Sequence, residues 1–463
     1  MVRRSGQALG AAAASGLDPA PGHIDHTTLR PPSDRLPQPF RLPVPVREHT
    51  MNNMAKRSLS EKLAILSDAA KYDASCASSG GERRDSRDGK GLGSSGGAGI
   101  CHAYAPDGRC ISLLKILMTN FCIYDCAYCI NRASSRVERA RFSVEEVVHL
   151  TIEFYRRNYI EGLFLSSGII RSPDDTMADM VRIARKLREE EGFRGYIHLK
   201  TIPSASQELI DEAGKWADRL SINIELPTEQ SLKSLAPEKD ARNIKQSMAD
   251  VRLKREESRA GKSWRGKRPA RFAPAGQSTQ VIVGADLADD RTILTQSSDL
   301  YASYGLSRIY YSAFSPIPDP AKALPIKPAP LMREHRLYQA DWLLRFYDFR
   351  VEEIGGASGM LDLDLDPKTA WAVAHREHFP VDINRAPREA LLRVPGFGTK
   401  TVNRLLAARR RGLVRYEHLA AMGAIVKRAK AFIIAPGWAP RGLLEEEHLR
   451  ARFAAPAEQL SLF

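Results

Sequence analysis

From Ile111 to Ala313 short apolar runs alternate with longer amphipathic stretches. A two-residue apolar period and a 3.6-residue one cannot substitute for each other, so this order calls for parallel strands joined by crossover helices. The runs place strands at 111–118, 162–166, 195–200, 219–226, 279–285 and 308–313. Helices are expected between them, notably at 143–158, where Ser143 caps and Glu145 and Glu146 fill the first turn, and at 174–191. Six strand–helix units make an α/β fold, a partial barrel over residues 111–330, whose ligands belong at the carboxyl ends of the strands.

Directly after the first strand comes Thr-Asn-Phe-Cys-Ile-Tyr-Asp-Cys-Ala-Tyr-Cys-Ile-Asn-Arg, residues 119–132, with Cys122, Cys126 and Cys129 in a C-x3-C-x2-C spacing. A cubane iron–sulfur cluster is usually held by four thiolates, so three leave one iron open to another ligand. The competing reading is a structural zinc loop, but zinc sites pair two knuckles of Cys or His and no second knuckle follows.

This spacing, with Tyr128 directly before the third cysteine, resembles the motif of the radical S-adenosylmethionine (SAM) superfamily. The resemblance implies a 4Fe-4S cluster on the three cysteines and SAM chelated at the open iron, where an electron cleaves its S–C bond to a 5'-deoxyadenosyl radical. It also implies that Tyr128 packs near the adenine. Ser166-Ser167-Gly168 stands where the superfamily often carries a Gly-Gly-Glu-like segment for the cofactor amino group, here without the acid. Ser221, Asn223 and Glu225 alternate on the fourth strand and so share a face, toward the cofactor ribose or carboxylate. The run ending Val283-Gly284-Ala285 is similar to the segment beneath the adenine, which makes Gly284 a further candidate. His198 and Lys200 share a face of the third strand. Each of these also reads as a satisfied polar residue at a strand end.

At 463 residues the chain exceeds one ordinary core, and its formal charge of +14 favours an anionic partner, nucleic acid first. All six cysteines fall between 76 and 129, against a disulfide framework and for a reducing compartment, hence a cytoplasmic protein. No run of about 18 apolar residues calls for a membrane span. Residues 1–57 lack any sustained apolar period and read as a disordered or mis-called extension, with Met51 and Met54 as alternative starts. Residues 58–110 hold a helix at 58–72, opening with Ser60 as cap, and a Gly/Ser/Arg-rich loop. Around that loop Cys76, Cys101 and Cys110, with His102, either hold a second metal or are ordinary thiols. The segment 240–275 carries Arg252, Lys254, Arg255, Arg259, Lys262, Arg265, Lys267, Arg268 and Arg271 around Trp264, suited to a single nucleic-acid strand or to a solvated helix. Residues 331–375 read as a helical linker region, with an amphipathic helix at 333–349 and an acidic, Gly-rich linker at 352–366.

Residues 381–410, within a domain at 376–440, form two short helices around Val394–Thr399 and resemble the helix-hairpin-helix motif of DNA repair proteins. Gly396 and Gly398 permit a tight turn whose backbone N–H groups, with Thr399 and Lys400 at the next helix, face a phosphate. Thr399 stands where proline is common and Val402 where alanine is common. Residues 416–434, around Met422-Gly423-Ala424, look like a degenerate second copy. A protein–protein role for both hairpins is the alternative. In the tail, 441–463, the final Gln459-Leu460-Ser461-Leu462-Phe463 resembles the peptide by which bacterial repair enzymes dock on the sliding clamp, with Gln459, Leu460, Leu462 and Phe463 as contacts.

Together these features resemble the radical SAM proteins assigned to DNA modification or repair, a family linked to a uracil-DNA-glycosylase-like partner. The implied function is modification or repair of a nucleotide in DNA, fed by an electron donor. An RNA-modifying radical SAM enzyme is the alternative within enzymes, and a non-catalytic iron–sulfur DNA-binding scaffold or redox sensor the alternative outside them. The sequence names no residue that donates or accepts the hydrogen atom.

Overall fold

The computed structural model describes residues 57–71, 99–104, 110–260, 271–317, 320–445 and 447–454. The amino-terminal extension, Cys76, Trp264 with the basic residues 262–268, and the clamp-like peptide lie outside these residues. In chain order the elements are α1 (Leu59–Ala70), β1 (Ile100–Tyr104), β2 (Cys110–Leu117), α2 (Val144–Arg156), β3 (Gly162–Ser166), α3 (Pro173–Glu189), β4 (Tyr196–Lys200) and α4 (Gln207–Trp216). Then follow β5 (Arg219–Ser221), α5 (Glu229–Leu235), α6 (Ala241–Ala260), β6 (Gly276–Val283), α7 (Asp290–Tyr304), β7 (Arg308–Ala313), α8 (Leu331–Phe346), α9 (Val351–Ile354) and α10 (Pro367–Ala374). The carboxyl-terminal part comprises β8 (Val381–Asp382), α11 (Arg388–Arg393), α12 (Thr399–Arg409), α13 (His418–Ala421), α14 (Val426–Ala429), β9 (Ile433–Ile434) and α15 (Leu449–Phe453).

Strands β1 to β7 form one sheet in sequence order. The pairs from β2 to β7 are parallel, and β1 lies antiparallel on β2. Parallel neighbours joined by right-handed helical crossovers curl the sheet, and with no pairing between its two end strands it remains a half-barrel. Buried Leu163, Leu165, Ile197, Leu199, Val281 and Ile309 sit in its strands. The helix starts follow their caps: Ser143 accepts from the Glu146 N–H in a capping box, and Ser172 accepts from Asp175 N–H with Pro173 next.

Four expectations change. The first helix is capped by Ser58, whose hydroxyl accepts from the Glu61 N–H, because Ser60 already lies inside the helix. The cysteine-containing segment before residue 111 supplies a seventh strand, β1, since it can pair with the outer edge of β2. The fourth expected strand, 219–226, stops at Ser221. The acidic stretch 352–366 is no free linker: Leu361 and Leu365 are buried, and the Leu361 N–H donates to Asp290 Oδ2 at 2.9 Å. Among the described residues no helix is long and apolar enough to cross a membrane.

Candidate active site

The cysteine loop leaves β2 and is fixed from within by three side chains. Asn120 donates to the Glu138 carbonyl at 2.7 Å and accepts from the Ala140 N–H at 2.8 Å. The Arg139 guanidinium gathers carbonyls of the turn after Cys129, those of Asn131 at 2.9 Å, Arg132 at 2.7 Å and Ser135 at 2.9 Å, and also that of Asn120. Asp125 accepts from the Ser134 N–H and hydroxyl, closing the loop on itself. On the next strand end the Gly168 N–H donates to the Thr119 carbonyl and the Ile123 N–H to the Ile169 carbonyl, both at 2.7 Å.

Cys122, Cys126 and Cys129 all line one cavity of about 620 Å³ at the carboxyl ends of the strands. Tyr128, Ser166, Ser167, Gly168, Lys200, Glu225, Lys239, Gln280 and Glu334 share its wall. Burial pushes the Cys126 thiol up and the Cys129 thiol up to about 12, so metal binding there must displace protons. Among the described residues no group of three or more His, Cys, Asp or Glu converges closely enough to hold a single metal ion. Three thiols around a cavity of this size instead suit a cluster that spreads its thiolates over separate irons.

The bulge after β5 decides where Glu225 points. Ser221 pairs with Ser278, and Glu225 bridges to Val281, so four residues on one strand span three on the other. The Ile224 N–H is met by the Thr279 hydroxyl at 2.8 Å, and Glu225 takes a φ of +66°, a left-handed conformation uncommon outside glycine. Ser221, Asn223 and Glu225 therefore do not share one face, as strict alternation requires. Ser221 is buried below the cavity, between His198 Nε2 at 2.5 Å and the Ser278 hydroxyl at 2.9 Å. The Asn223 amide donates to Gln280 Oε1 at 3.2 Å, and Glu225 reaches the cavity. Gly284 is absent from the cavity wall; a Cβ there meets that of Ala329 at 2.8 Å. His198 is likewise enclosed, and burial, with the Arg219 charge, holds it well below its ordinary range.

Lys239 is the residue that strand reasoning missed. It follows α5, and its ammonium donates to Glu225 Oε1 at 2.9 Å and to the Tyr128 hydroxyl at 3.1 Å. The two side chains of the ion pair are only 8% and 6% exposed. Burial alone pulls Lys239 down, but Glu225, Tyr128 and Cys126 together hold it well above its ordinary value. Only the acid Glu238 and the basic run after it mark this segment in the sequence, and neither is diagnostic.

Cys101 and Cys110 sit at opposite ends of the β1–β2 hairpin, Cys101 opposite Leu113 and Cys110 opposite Tyr104. Three ladder steps, roughly 10 Å, separate them, too far for both to ligate one ion. In α6, Arg252 pairs with Glu256 and Lys254 with Asp211 at the surface, and Arg255 is buried.

At the carboxyl-terminal turn, Gly396 has φ +82° and packs on the next turn, where the Ile425 N–H donates to its carbonyl at 2.9 Å. Gly398 is open: the nearest atom to a Cβ there is the Tyr347 hydroxyl, 3.7 Å away. Lys368 Nζ donates to the Phe397 carbonyl at 2.6 Å, and a groove of about 480 Å³ runs between this turn and α8.

The Radical SAM superfamily model matches residues 116–254. Among solved structures, HydG, a maturase of the FeFe-hydrogenase, is similar at 15% identity, covering 49% of this chain and 48% of its own, with a TM-score of 0.36. Methylornithine synthase (PylB) is similar at 13% identity, 50% and 61% coverage and a TM-score of 0.38. HydG from Carboxydothermus hydrogenoformans stands at 14% identity, 49% and 50% coverage and a TM-score of 0.36. The chain thus spans less than two thirds of the length of each of these structures. No curated protein matches it.

The half-barrel, the cysteine loop over its strand ends and the family match define a radical SAM domain. The chain thus carries a Radical SAM superfamily domain over residues 116–254, which implies a 4Fe-4S cluster and SAM.

Proposed function

We propose that this enzyme modifies or repairs a nucleotide in DNA. The observation that carries the chemistry is the convergence of Cys122, Cys126 and Cys129 on one cavity. These residues would hold the cluster, which with bound SAM supplies one-electron cleavage of the cofactor. Tyr128 would pack near the adenine, the Ser166–Gly168 backbone would meet the cofactor amino group, and Glu225 would face its ribose or carboxylate. Support for DNA comes from the formal charge of +14 and from the turn at 394–400, whose open Gly398 edge leads into α12 with Lys400 exposed. A phosphate at this edge would meet backbone N–H groups and the positive end of the helix, which grips the backbone without reading sequence. The same reading includes a uracil-DNA-glycosylase-like partner, an electron donor and a cytoplasmic location.

The reconstituted, reduced enzyme should convert SAM to 5'-deoxyadenosine and methionine, with turnover raised by duplex DNA. Gly398→Val should weaken DNA binding and leave cofactor cleavage intact, since Gly398 has an extended backbone that valine adopts and room for its Cβ. Structured RNA outcompeting DNA would redirect the reading to RNA, and no cofactor cleavage under any condition would leave a scaffold. Loss of all iron from the Cys122→Ala/Cys126→Ala/Cys129→Ala variant would tie the cluster to these three thiols, and iron retained there would place it elsewhere.

A further inference from the structure

The cysteine loop is also held from outside the cavity. The five residues from Leu235 to Lys239 contact it three times between the first and third cysteines. The Ala127 N–H donates to the Leu235 carbonyl at 2.7 Å, and the Asp125 N–H donates to Glu238 Oε1 at 2.9 Å. Lys239 donates to the Tyr128 hydroxyl at 3.1 Å, with its ammonium 5.5 Å from the centre of that ring. The same ammonium donates to Glu225, which the bulge after β5 turns into the cavity.

We propose that this segment is a brace and that Lys239 is its positioning residue, one ammonium tying the turn before Cys129 to the cavity wall at Glu225. Three thiols separated by short loops reach a common cluster only if the backbone between them is held, and a buried, fully bonded network holds geometry better than apolar contact does. A buried ion pair adds little net stability, because desolvation offsets its attraction, so the pair is better read as setting geometry than as stabilising the fold. The left-handed φ of Glu225 fits this role: the strain is retained where it aims a side chain at the ammonium.

The inference rests on the reading of the three cysteines as cluster ligands, but its first test needs no cluster. In the apo chain, alkylation of Cys126 and Cys129, compared at equal thiolate fraction because losing the ammonium also raises both thiols, should be faster in Lys239→Met by about tenfold, the ratio set by one charge-assisted hydrogen bond. Tyr128→Phe, which removes only the acceptor, should move the rate the same way by less. Glu238→Gln keeps its acceptor oxygen and should behave as wild type, whereas Glu238→Ala should not. The double variant Glu225→Gln/Lys239→Met removes the carboxylate charge as well and should stay fast. In reconstituted protein, Lys239→Met should retain iron yet give an altered electron paramagnetic resonance signal on SAM addition. Wild-type alkylation and an unchanged signal in Lys239→Met would overturn the brace. If that variant does not fold, Tyr128→Phe and Glu238→Ala decide by the same rates. Loss of the cluster reading would appear separately, as iron retained in the three-cysteine variant with the alkylation result intact.

Discussion

Gly168→Ala is the sharpest perturbation of the site. Gly168 has an ordinary backbone angle, so alanine meets no conformational penalty, and any effect is one of close approach. Its Cβ would stand 2.1 Å from the Phe121 carbonyl oxygen, 0.9 Å short of the 3.0 Å that real Cβ atoms keep. The obstacle is main chain, which no rotamer change relieves. Phe121 directly precedes Cys122, so the cysteine loop must retreat from β3, straining the Gly168–Thr119 and Ile123–Ile169 hydrogen bonds that hold it. Overpacking of this kind costs about 1–3 kcal/mol. The expected result is a lower denaturant midpoint for the apo chain and, after reconstitution, iron loading well below wild type. Gly412→Ala is the control, because its Cβ meets nothing within 4 Å. Full iron loading with an unchanged midpoint in Gly168→Ala would refute the claim that this glycine seats the loop.

Arg139→Met should destabilise the apo chain by about 2 kcal/mol, the scale of a hydrogen bond to a charged donor, and should impair iron loading. Arg139→Lys should fail to rescue it, because an ammonium cannot serve carbonyls in the fork arrangement; loading equal to wild type in either variant would contradict this. Burial pulls Lys368 down to about 7, Asp366 raising it and Arg393 lowering it further, with the Tyr347 ring and Arg428 beside it. Below pH 7 both states carry the proton and the folded state bears the whole cost. Between that pH and the ordinary lysine range the unfolded chain binds more protons, so stability rises with pH. The denaturant midpoint of wild type relative to Lys368→Met should therefore climb from about pH 6 to about pH 9, and a flat difference would refute the shift. A peptide of residues 454–463 should bind a bacterial sliding clamp, and one with Leu462 and Phe463 changed to Ala should not; equal binding removes the clamp proposal.

Local patterns were legible because their causes are local. Apolar period marked the parallel strands from β2 onward, Ser143 announced the start of α2, and the spacing of Cys122, Cys126 and Cys129 with Tyr128 pointed to the site chemistry. Each rests on residues within about one turn or one strand of each other. What lay beyond reach depended on pairings between distant segments. Strict alternation set Ser221, Asn223 and Glu225 on one face, and one extra residue between two ladder contacts undid it; nothing in the four-residue run announces a bulge. Strand β1 exists only because the edge of β2 was open to it. Lys239 lies 111 residues from Tyr128 and 14 from Glu225, in a basic stretch where one lysine looks like another. Nothing in the sequence sets Arg139 apart from its neighbours. Its guanidinium became structural because the folded turn turned several carbonyls inward, away from water, and a fork of donors was the group able to meet them together.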